Sequence, residues 1–426
     1  MVASGRPSRC QLNSLADFNP LDPQVLSCPH AWWAAMRRES PVHKIDIPGV
    51  DVPTYCVTRK RDIEDVCRRT DIFSGRPNPS VWRWADFQPE LEAVFADGGY
   101  KMAHTLQTSD PPVHSQYRAI ATQALSRERI TAMGPRVQGA IDELLAGFTS
   151  GDVQDFVQSF AIPLPLWVIC DLLGLPRSDA DFLVRFTDAH MRLVDPTTPL
   201  AKAVKHAELS REGQQYLVKH ILERRDHPSD DFLSTLANAK GAEGQLLTLG
   251  EALSMAFIVV VAGNETTRNA LGSCAYELAR HPEIFARLKK EPDKVVKFVE
   301  EVLRTAAPAN TTVRTVLADT EIGGTPVPKG ANLFILWGSG GVDEAFWTNA
   351  EQIDLGRQNP RAHTTFGYGA RLCAGNQLAR MELNFSVESW LREFQRIELA
   401  APADSIHYMP VFAMRALKTL PLRFIR

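Results

Sequence analysis

Cys373 lies in a segment whose residue types would keep a sulfur ionised and accessible. The segment reads Phe366-Gly367-Tyr368-Gly369-Ala370-Arg371-Leu372-Cys373-Ala374-Gly375 and leads directly into a helical pattern. Glycines leave little side-chain bulk around the sulfur, a cation stands two residues before it, and helix amides follow it. These features favour the thiolate, which is the form of cysteine that binds metals. The segment therefore predicts a thiolate ligand to a flat cofactor such as haem.

A second polar group interrupts the longest apolar helical pattern. Thr248-Leu249-Gly250-Glu251 fits a capping box and His281-Pro282 gives a stop signal, so a helix of about thirty residues is predicted between them. The run Ala262-Gly263-Asn264-Glu265-Thr266-Thr267 places an acid and hydroxyls in its middle, where they are costly unless satisfied. A threonine hydroxyl could open the helix locally, and Gly263 would admit a flat ligand. The alternative is a helix that simply emerges into solvent there.

Two pairs of side chains share helix faces. Glu301 and Arg304 are three residues apart and can pair, although exposed pairs of this kind stabilise little. His114 and Arg118 are four apart and follow two prolines, so two cationic donors face one way, as a pair of ligand carboxylates requires. The alternative for this pair is an ordinary solvated face. For Cys373 the alternatives are a structural buried thiol or a nucleophile.

The bulk composition is that of a globular protein. The chain has 426 residues, of which 44% are hydrophobic and 23% charged, with a net charge of -3. It can bury a large core, and its charge gives no reason to expect nucleic acid or an anionic membrane as a partner. The chain shows no apolar leader, and the apolar run 252–263 is too short to span a bilayer. We therefore expect a cytoplasmic protein with neither partner.

Cysteine usage and element patterns predict one domain over residues 1–426. The seven cysteines are spread without a C-x-x-C pair, which favours neither a disulfide framework nor a zinc knuckle. The fold class is mainly α with small β-sheets (α+β). Helices are predicted over 31–38, 61–70, 376–394 and most of 113–287, with strands near 54–58, 313–317, 321–327 and 332–337 and a strand pair in 409–426. The stretch 75–99 predicts a long, mostly irregular loop.

Four motifs, in order, resemble those of the cytochrome P450 superfamily. The cysteine segment matches every specified position of F-x-x-G-x-H/R-x-C-x-G, and Ala262–Thr266 resembles A/G-G-x-D/E-T. Glu301–Arg304 resembles the family's E-x-x-R, and Asp110–Arg118 looks like D-P-P-x-H-x-x-x-R. The resemblance covers nearly the whole chain. It implies that family's fold, a triangular helix-rich prism with haem between the long central helix and the helix after the cysteine loop.

The resemblance also implies a cofactor and a set of site residues. Haem b (iron protoporphyrin IX) would have Cys373 as its axial thiolate, and Thr266 and Glu265 would be catalytic, handling oxygen and protons. The remaining implied residues fall into three groups: cofactor contacts at His114, Arg118, Arg314, Arg371, Phe366, Gly375, Ala262 and Gly263; structural support from Glu301, Arg304 and Arg357; and a substrate pocket lined by Trp82, Trp84, Phe87, Ile258, Val261, Asn310 and Phe412. For several of the pocket aromatics a purely core role is an equal alternative.

The implied reaction inserts one atom of O₂ into a small apolar organic substrate, by C–H hydroxylation or a related oxidation. Electrons are expected from a ferredoxin and its NAD(P)H-dependent reductase, because the chain shows no flavin domain after Cys373 and no C-x₄-C-x₂-C spacing. These partners would dock near Arg371 and Arg380, and the protein is expected to be a monomer. The alternatives are a peroxide-driven haem-thiolate peroxygenase, which the Glu265–Thr266 pair disfavours, and a non-catalytic haem sensor or carrier.

Overall fold

The computed structural model describes residues 14–426 except 21, 48–49, 77, 79–88, 194–197, 242, 410 and 412. Its contacts divide the chain into two compact units. The sheet unit comprises residues up to 73, 137–164 and 266–426, and the helical unit comprises 74–136 and 165–265. The prediction of a single domain stays a prediction. Four residues predicted to line the substrate pocket lie outside the described residues: Trp82, Trp84, Phe87 and Phe412.

The strands form three sheets. The largest has the order β1-β2-β8-β5-β3, with β2 and β8 parallel and the β1–β2 and β5–β8 pairs antiparallel. A second sheet has the order β4-β10-β9, and β6 and β7 form a hairpin. The strands are β1 Val42–Ile45, β2 Thr54–Val57, β3 Phe73–Ser74, β4 Val153–Asp155, β5 Thr311–Val316, β6 Thr320–Ile322, β7 Thr325–Val327, β8 Asn332–Leu336, β9 Arg396–Leu399 and β10 Pro421–Ile425.

Helices make up most of the remaining structure. Helices α7, α8 and α12 contain residues of both units, and each of the others belongs to one. In chain order they are α1 Pro23–Ser27, α2 His30–Glu39, α3 Lys60–Arg68, α4 Pro89–Ala96, α5 Val113–Ala124, α6 Arg127–Ala132, α7 Gly134–Ala146, α8 Pro163–Leu173, α9 Ala180–Leu193, α10 Leu200–Asp226, α11 Phe232–Ala237, α12 Leu249–Arg280, α13 Pro282–Lys290, α14 Val295–Thr305, α15 Trp337–Gly341 and α16 Asn376–Glu393.

Two element predictions are wrong. The stretch 75–99 is not mostly irregular where it is described, because α4 occupies 89–96: proline opens this helix, and Leu91 packs with Ala203 and Ala207 of α10. In the described part of the tail 409–426, β10 is the one regular strand, and Leu417 forms only an isolated antiparallel bridge with Tyr408, so the predicted strand pair is not seen there. Instead β10 pairs with β9 on one side and β4 on the other. In both places contacts distant in sequence decide the structure.

An aromatic cluster in the sheet unit anchors α16, the helix that follows the cysteine loop. Trp390 of this helix is fully buried and makes edge contacts with Phe156 and Phe160, at centroid distances of 5.3 and 5.6 Å. Phe424 of β10 stacks on Phe156 at 6.0 Å. Burying aromatic rings of this size contributes several kcal/mol in all, on the order of 2 kcal/mol each. The helix is therefore a rigid base for its N-terminal loop.

The N-terminus of α12 is fixed by the predicted capping box. Thr248 donates from its amide and hydroxyl to Glu251 Oε2 at 2.8 and 2.7 Å, and Glu251 N donates back to Thr248 Oγ1 at 3.3 Å. Tyr117 of α5 donates to the other oxygen of Glu251 at 2.6 Å. Among the described residues α12 alone is long and apolar enough to cross a membrane, and 56% of its apolar window is buried inside the protein, as in a core helix.

Candidate functional site

The loop before α16 holds Cys373 through backbone hydrogen bonds. Cys373 N donates to Phe366 O at 2.7 Å, and Leu372 N donates to Gly369 O at 3.1 Å. Gly367 and Gly369 have φ of 81° and 69°, a region that side chains with a Cβ rarely adopt. Glycine is therefore favoured at these two positions, where the loop closes on itself.

Cys373 differs from the other cysteines in its exposure. Among the described free cysteines, Cys56, Cys67, Cys170 and Cys274 are buried and Cys373 is exposed. Burial raises the pKa of the Cys67 thiol to about 11 and that of Cys170 to about 12, so both stay protonated and inert. Cys28 is disulfide-bonded, which the spacing of the cysteines did not predict. Cys373 is therefore the described free cysteine that a ligand can reach.

Two of the predicted cofactor contacts, Arg314 and Arg371, lie in the same region of the sheet unit. Arg314 of β5 is buried, and its Nη1 donates to Val313 O at 2.7 Å. Arg314 and Arg371 both act electrostatically on the Cys67 thiol, opposing the rise that burial causes in its pKa. Their charges therefore act on one place, beside the cysteine loop, as a carboxylate-bearing ligand would need.

Gly375, at the N-cap of α16, has neither a backbone nor a packing reason to be glycine. Its φ is -85°, and no heavy atom of the described residues, its chain neighbours aside, lies within 4 Å of where a Cβ would stand. A residue this small, two positions after the cysteine, leaves room for close approach of a flat group. Exposed sulfur, nearby arginines and this open glycine together fit a haem.

The structure brings Glu301, Arg304 and Arg357 together in one buried network. Glu301 accepts from Arg304 Nε at 2.8 Å and Nη2 at 2.9 Å, and from Arg357 Nε at 2.8 Å. It also accepts from Asp354 N at 2.9 Å. Arg304 donates in turn to the carbonyls of Gly341, Ala350 and Gln352. The network ties α14 to the segment 341–357, which precedes the cysteine loop.

A second acid on α14 was missed by the sequence analysis. Glu300 binds Arg380 of α16, with Nε–Oε1 and Nη2–Oε2 distances of 2.6 and 3.1 Å, and His363 Nε2 at 2.9 Å. The Arg380 side chain is only 14% exposed. Arg380 is thus mostly buried and bound to Glu300, and the prediction that a redox partner docks near it stays a prediction. Its partners lie far away in sequence, so no local pattern marks this cluster.

The acid–hydroxyl motif lies on a helix that stays α-helical throughout. The helix runs without interruption from Leu249 to Arg280, and the predicted local opening beside the threonine hydroxyl stays a prediction. Ala262 is exposed and Ile258 and Thr266 are half-buried, although most of their neighbours are buried; these three positions share one face at a spacing of four. Glu265 is buried beside them. A helix face open at small and hydroxyl-bearing residues suits a flat ligand with oxygen beside it.

Gly263 has a packing role that the sequence analysis did not predict. A Cβ at this position would lie 2.6 Å from Cδ1 of Ile169 in α8. Close approach of α8 to α12 therefore already requires glycine here. Asn264, next in the chain, is fully buried and donates from Nδ2 to Thr187 Oγ1 of α9 at 3.3 Å. This side of the helix faces protein.

His114 and Arg118 stand on α5 as predicted from their spacing. His114 is buried and Arg118 is half-buried. Asp110 fixes the start of this helix: its carbonyl accepts from His114 N at 2.9 Å, and its carboxylate accepts from Gly75 N at 2.8 Å and from Ser74 Oγ. The two donors are thus held on one helix of the helical unit.

The described pocket candidates differ in their surroundings. Val261 is buried in α12. Asn310 is also buried, and its Nδ2 donates to Met414 O at 3.3 Å while its amide donates to Ala413 O at 2.8 Å. Asn310 therefore holds the backbone of the tail, a task the sequence analysis did not assign to it.

Comparison with known proteins defines the family. A model of the cytochrome P450 family matches residues 194–420. Cytochrome P450 107B1 of Saccharopolyspora erythraea is 30% identical over 91% of this chain and 93% of its own length, and 6-deoxyerythronolide B hydroxylase of the same organism is 30% identical over 92% and 95%. The structure of the polyketide synthase cytochrome P450 PksS from Bacillus subtilis 168 superposes with a TM-score of 0.83 at 28% identity, covering 96% of this chain and 100% of that one.

The chain belongs to the cytochrome P450 family and has its fold. It is a haem-thiolate monooxygenase, as relatives named monooxygenases and hydroxylases indicate. The predicted family, fold class and enzyme class are confirmed.

Proposed function

We propose that Cys373 would hold haem b through its thiolate in a monooxygenase that oxidises a small apolar organic substrate. The observation that carries the proposal is the geometry of the cysteine loop. The Cys373 amide donates to Phe366 O at 2.7 Å. Cys373 is exposed, whereas the other described free cysteines are buried. A loop built to present one sulfur at the start of a helix favours the thiolate.

Haem, when bound with a thiolate ligand, supplies the activation of O₂. The chain's own residues would hold the cofactor and handle protons. His114, Arg118, Arg314 and Arg371 would bind its two propionates, since four cationic donors can satisfy two carboxylates. Thr266 would hold water and oxygen by hydrogen bonding, and Glu265, five per cent exposed, would pass protons from solvent. Glu301, Arg304 and Arg357 would support the loop without touching the reaction.

The substrate class is inferred from the open face of α12. Ile258 and Ala262 present aliphatic groups on the face that carries Thr266, and Val261 lies beside them, so an apolar molecule would be held close and dry. Relatives named for polyketide biosynthesis and 6-deoxyerythronolide B hydroxylation support C–H hydroxylation of such a molecule. Electrons would come from a ferredoxin and its NAD(P)H-dependent reductase, with the protein acting as a cytoplasmic monomer.

The test measures O₂ uptake and product formation with NAD(P)H, a surrogate ferredoxin and its reductase. Apolar substrates would first be selected by the shift that they cause in the haem spectrum. Glu265→Gln should lower product formation by roughly 10²-fold, because general acid catalysis contributes about that much. Thr266→Ser, which keeps a hydroxyl, should retain most of the product yield that Thr266→Ala loses.

Two outcomes would contradict the proposal. Efficient product formation with peroxide alone, unchanged in Glu265→Gln, would indicate a peroxygenase. Bound haem without O₂ uptake or product for any spectrally selected substrate would indicate a sensor or carrier.

A further inference from the structure

Glu300 forms a buried, charged contact with the helix that carries the cysteine loop. Its side chain is 1% exposed, and the two distances to Arg380, 2.6 and 3.1 Å, are those of a bidentate pair. Such pairs fix geometry as well as charge. Burial acts to raise the pKa of Glu300, but hydrogen bonds from His363 and Arg380 outweigh it and lower that pKa to about 2. The carboxylate is therefore ionised at neutral pH and holds Arg380 in place.

Arg380 in turn contacts one residue before Cys373 in the chain, Phe366, and one residue after it, Asn376. On one side its Nη1 donates to Asn376 Oδ1 at 2.8 Å, and Asn376 Nδ2 donates to the carbonyl oxygen of Cys373 at 2.6 Å. On the other side its guanidinium carbon lies 4.4 Å from the centroid of the Phe366 ring, within range of a cation–π interaction. Phe366 O accepts from Cys373 N at 2.7 Å. One guanidinium thus links α14 to the residues on either side of the sulfur.

The entry to the loop is fixed by the same part of α14. His363, whose Nε2 faces Glu300, has its Nδ1 3.2 Å from Thr365 N, which donates to it. Thr365 Oγ1 donates to Leu303 O at 2.8 Å. By contrast, the carboxylate of the neighbouring Glu301 accepts its described hydrogen bonds from Arg304, Arg357 and the amide of Asp354. The two adjacent acids therefore have separate tasks, and of the two it is Glu300 that is linked, through Arg380, to the cysteine loop.

We propose that Glu300, acting through Arg380, is a positioning residue for the Cys373 ligand and neutralises the cation beside Phe366. The inference deepens the proposed function and rests on it, because it takes Cys373 to be the haem ligand. Without the carboxylate, Arg380 would lose its ion pair. Its contacts with Asn376 and Phe366, which are both hydrogen-bonded to the backbone of Cys373, would then be less well fixed. The charge of Arg380 would then be uncompensated near the sulfur. Because a positive charge stabilises the reduced, more negative form of the haem site, the reduction potential would rise.

The test compares two substitutions around one carboxylate in the haem-loaded protein. Glu300→Gln keeps the size of the side chain and removes its charge. The control is Arg361→Gln, since Arg361 binds the same carboxylate at 3.2 Å but is 65% exposed. The readouts are the reduced, CO-bound spectrum, in which thiolate ligation gives a strongly red-shifted Soret band, and the reduction potential. Neither readout depends on turnover.

Glu300→Gln should lower the ratio of red-shifted to unshifted band by roughly tenfold or more, because breaking a buried ion pair is strongly destabilising. The remaining red-shifted fraction should have a more positive potential. Arg361→Gln should stay within about twofold of wild type, as expected for an exposed pair. If Glu300→Gln does not fold, Asn376→Ala tests the same link without removing a charge. It removes one hydrogen bond to the loop, which should lower the ratio of red-shifted to unshifted band by roughly two- to tenfold.

The outcomes separate this inference from the proposed function. A wild-type protein without the red-shifted band would overturn the thiolate assignment itself. A normal wild-type band with an unchanged ratio and potential in folded Glu300→Gln would overturn the positioning role alone. An unchanged ratio in Asn376→Ala would do the same where Glu300→Gln fails to fold.

Discussion

Replacing Glu301 by glutamine should lower the free energy of unfolding more than removing an exposed charge does. Glu301 is fully buried and holds two arginines, Arg304 and Arg357, of which the first is fully buried as well. Glutamine keeps the size of the side chain but leaves two guanidinium groups without their counter-charge. Breaking a buried pair by removing one partner costs about 3–5 kcal/mol, because the remaining charge is desolvated and unpaired. We expect a loss of this size in the free energy of unfolding.

Urea unfolding at neutral pH measures this loss. Trp347 is a reporter, because the guanidinium carbons of Arg304 and Arg357 lie 5.1 and 5.7 Å from its ring centroid. Its fluorescence should change together with the far-ultraviolet circular dichroism. The matched control is Glu291→Gln, which removes an exposed partner of Arg287 and should leave the free energy of unfolding nearly unchanged. Equal losses in the two variants, or a loss below about 1 kcal/mol for Glu301→Gln, would refute the reasoning.

Three further predictions concern the helical unit. Burial lowers the pKa of His190 from 6.5 to about 4, so between these pH values the unfolded chain binds a proton that the folded chain does not. The free energy of unfolding should therefore fall on the order of 3 kcal/mol as the pH drops from 6.5 to 4. Urea titrations at both pH values should show that His190→Leu removes this part of the fall. Gly263→Ala should cost about 1–3 kcal/mol, and adding Ile169→Val, which removes the clashing Cδ1, should restore most of it; additive losses would contradict the packing role. Tyr117→Phe should cost roughly 1–2 kcal/mol by removing its bond to Glu251, and an unchanged urea midpoint would show that the bond does not contribute.

The elements around the site could be predicted where local signals suffice. The start of α12 follows from Thr248 and Glu251 and its end from the proline after His281, and both are as predicted because a capping box is a contact between near neighbours. The cysteine loop was predictable for a similar reason. Gly367 and Gly369 have positive φ, so the backbone itself requires glycine there.

What the sequence could not predict depends on contacts between distant residues. Helix α4 was missed because Leu91 is buried by residues of α10 more than a hundred positions later. Glu300 was missed because an acid beside another acid looks like a solvated face until Arg380, eighty residues on, is seen to bind it. Gly263 was predicted to admit a ligand because no sequence pattern indicates that Ile169 packs against it.

The reduced, CO-bound absorption spectrum tests the central claim, ligation by the Cys373 thiolate, most directly. The wild-type protein should show the strongly red-shifted Soret band that reports a thiolate, and Cys373→Ser should lose that band. The other described free cysteines are buried, so none should replace it. A histidine-type spectrum in the wild type, or an unchanged red-shifted band in Cys373→Ser, would contradict the account.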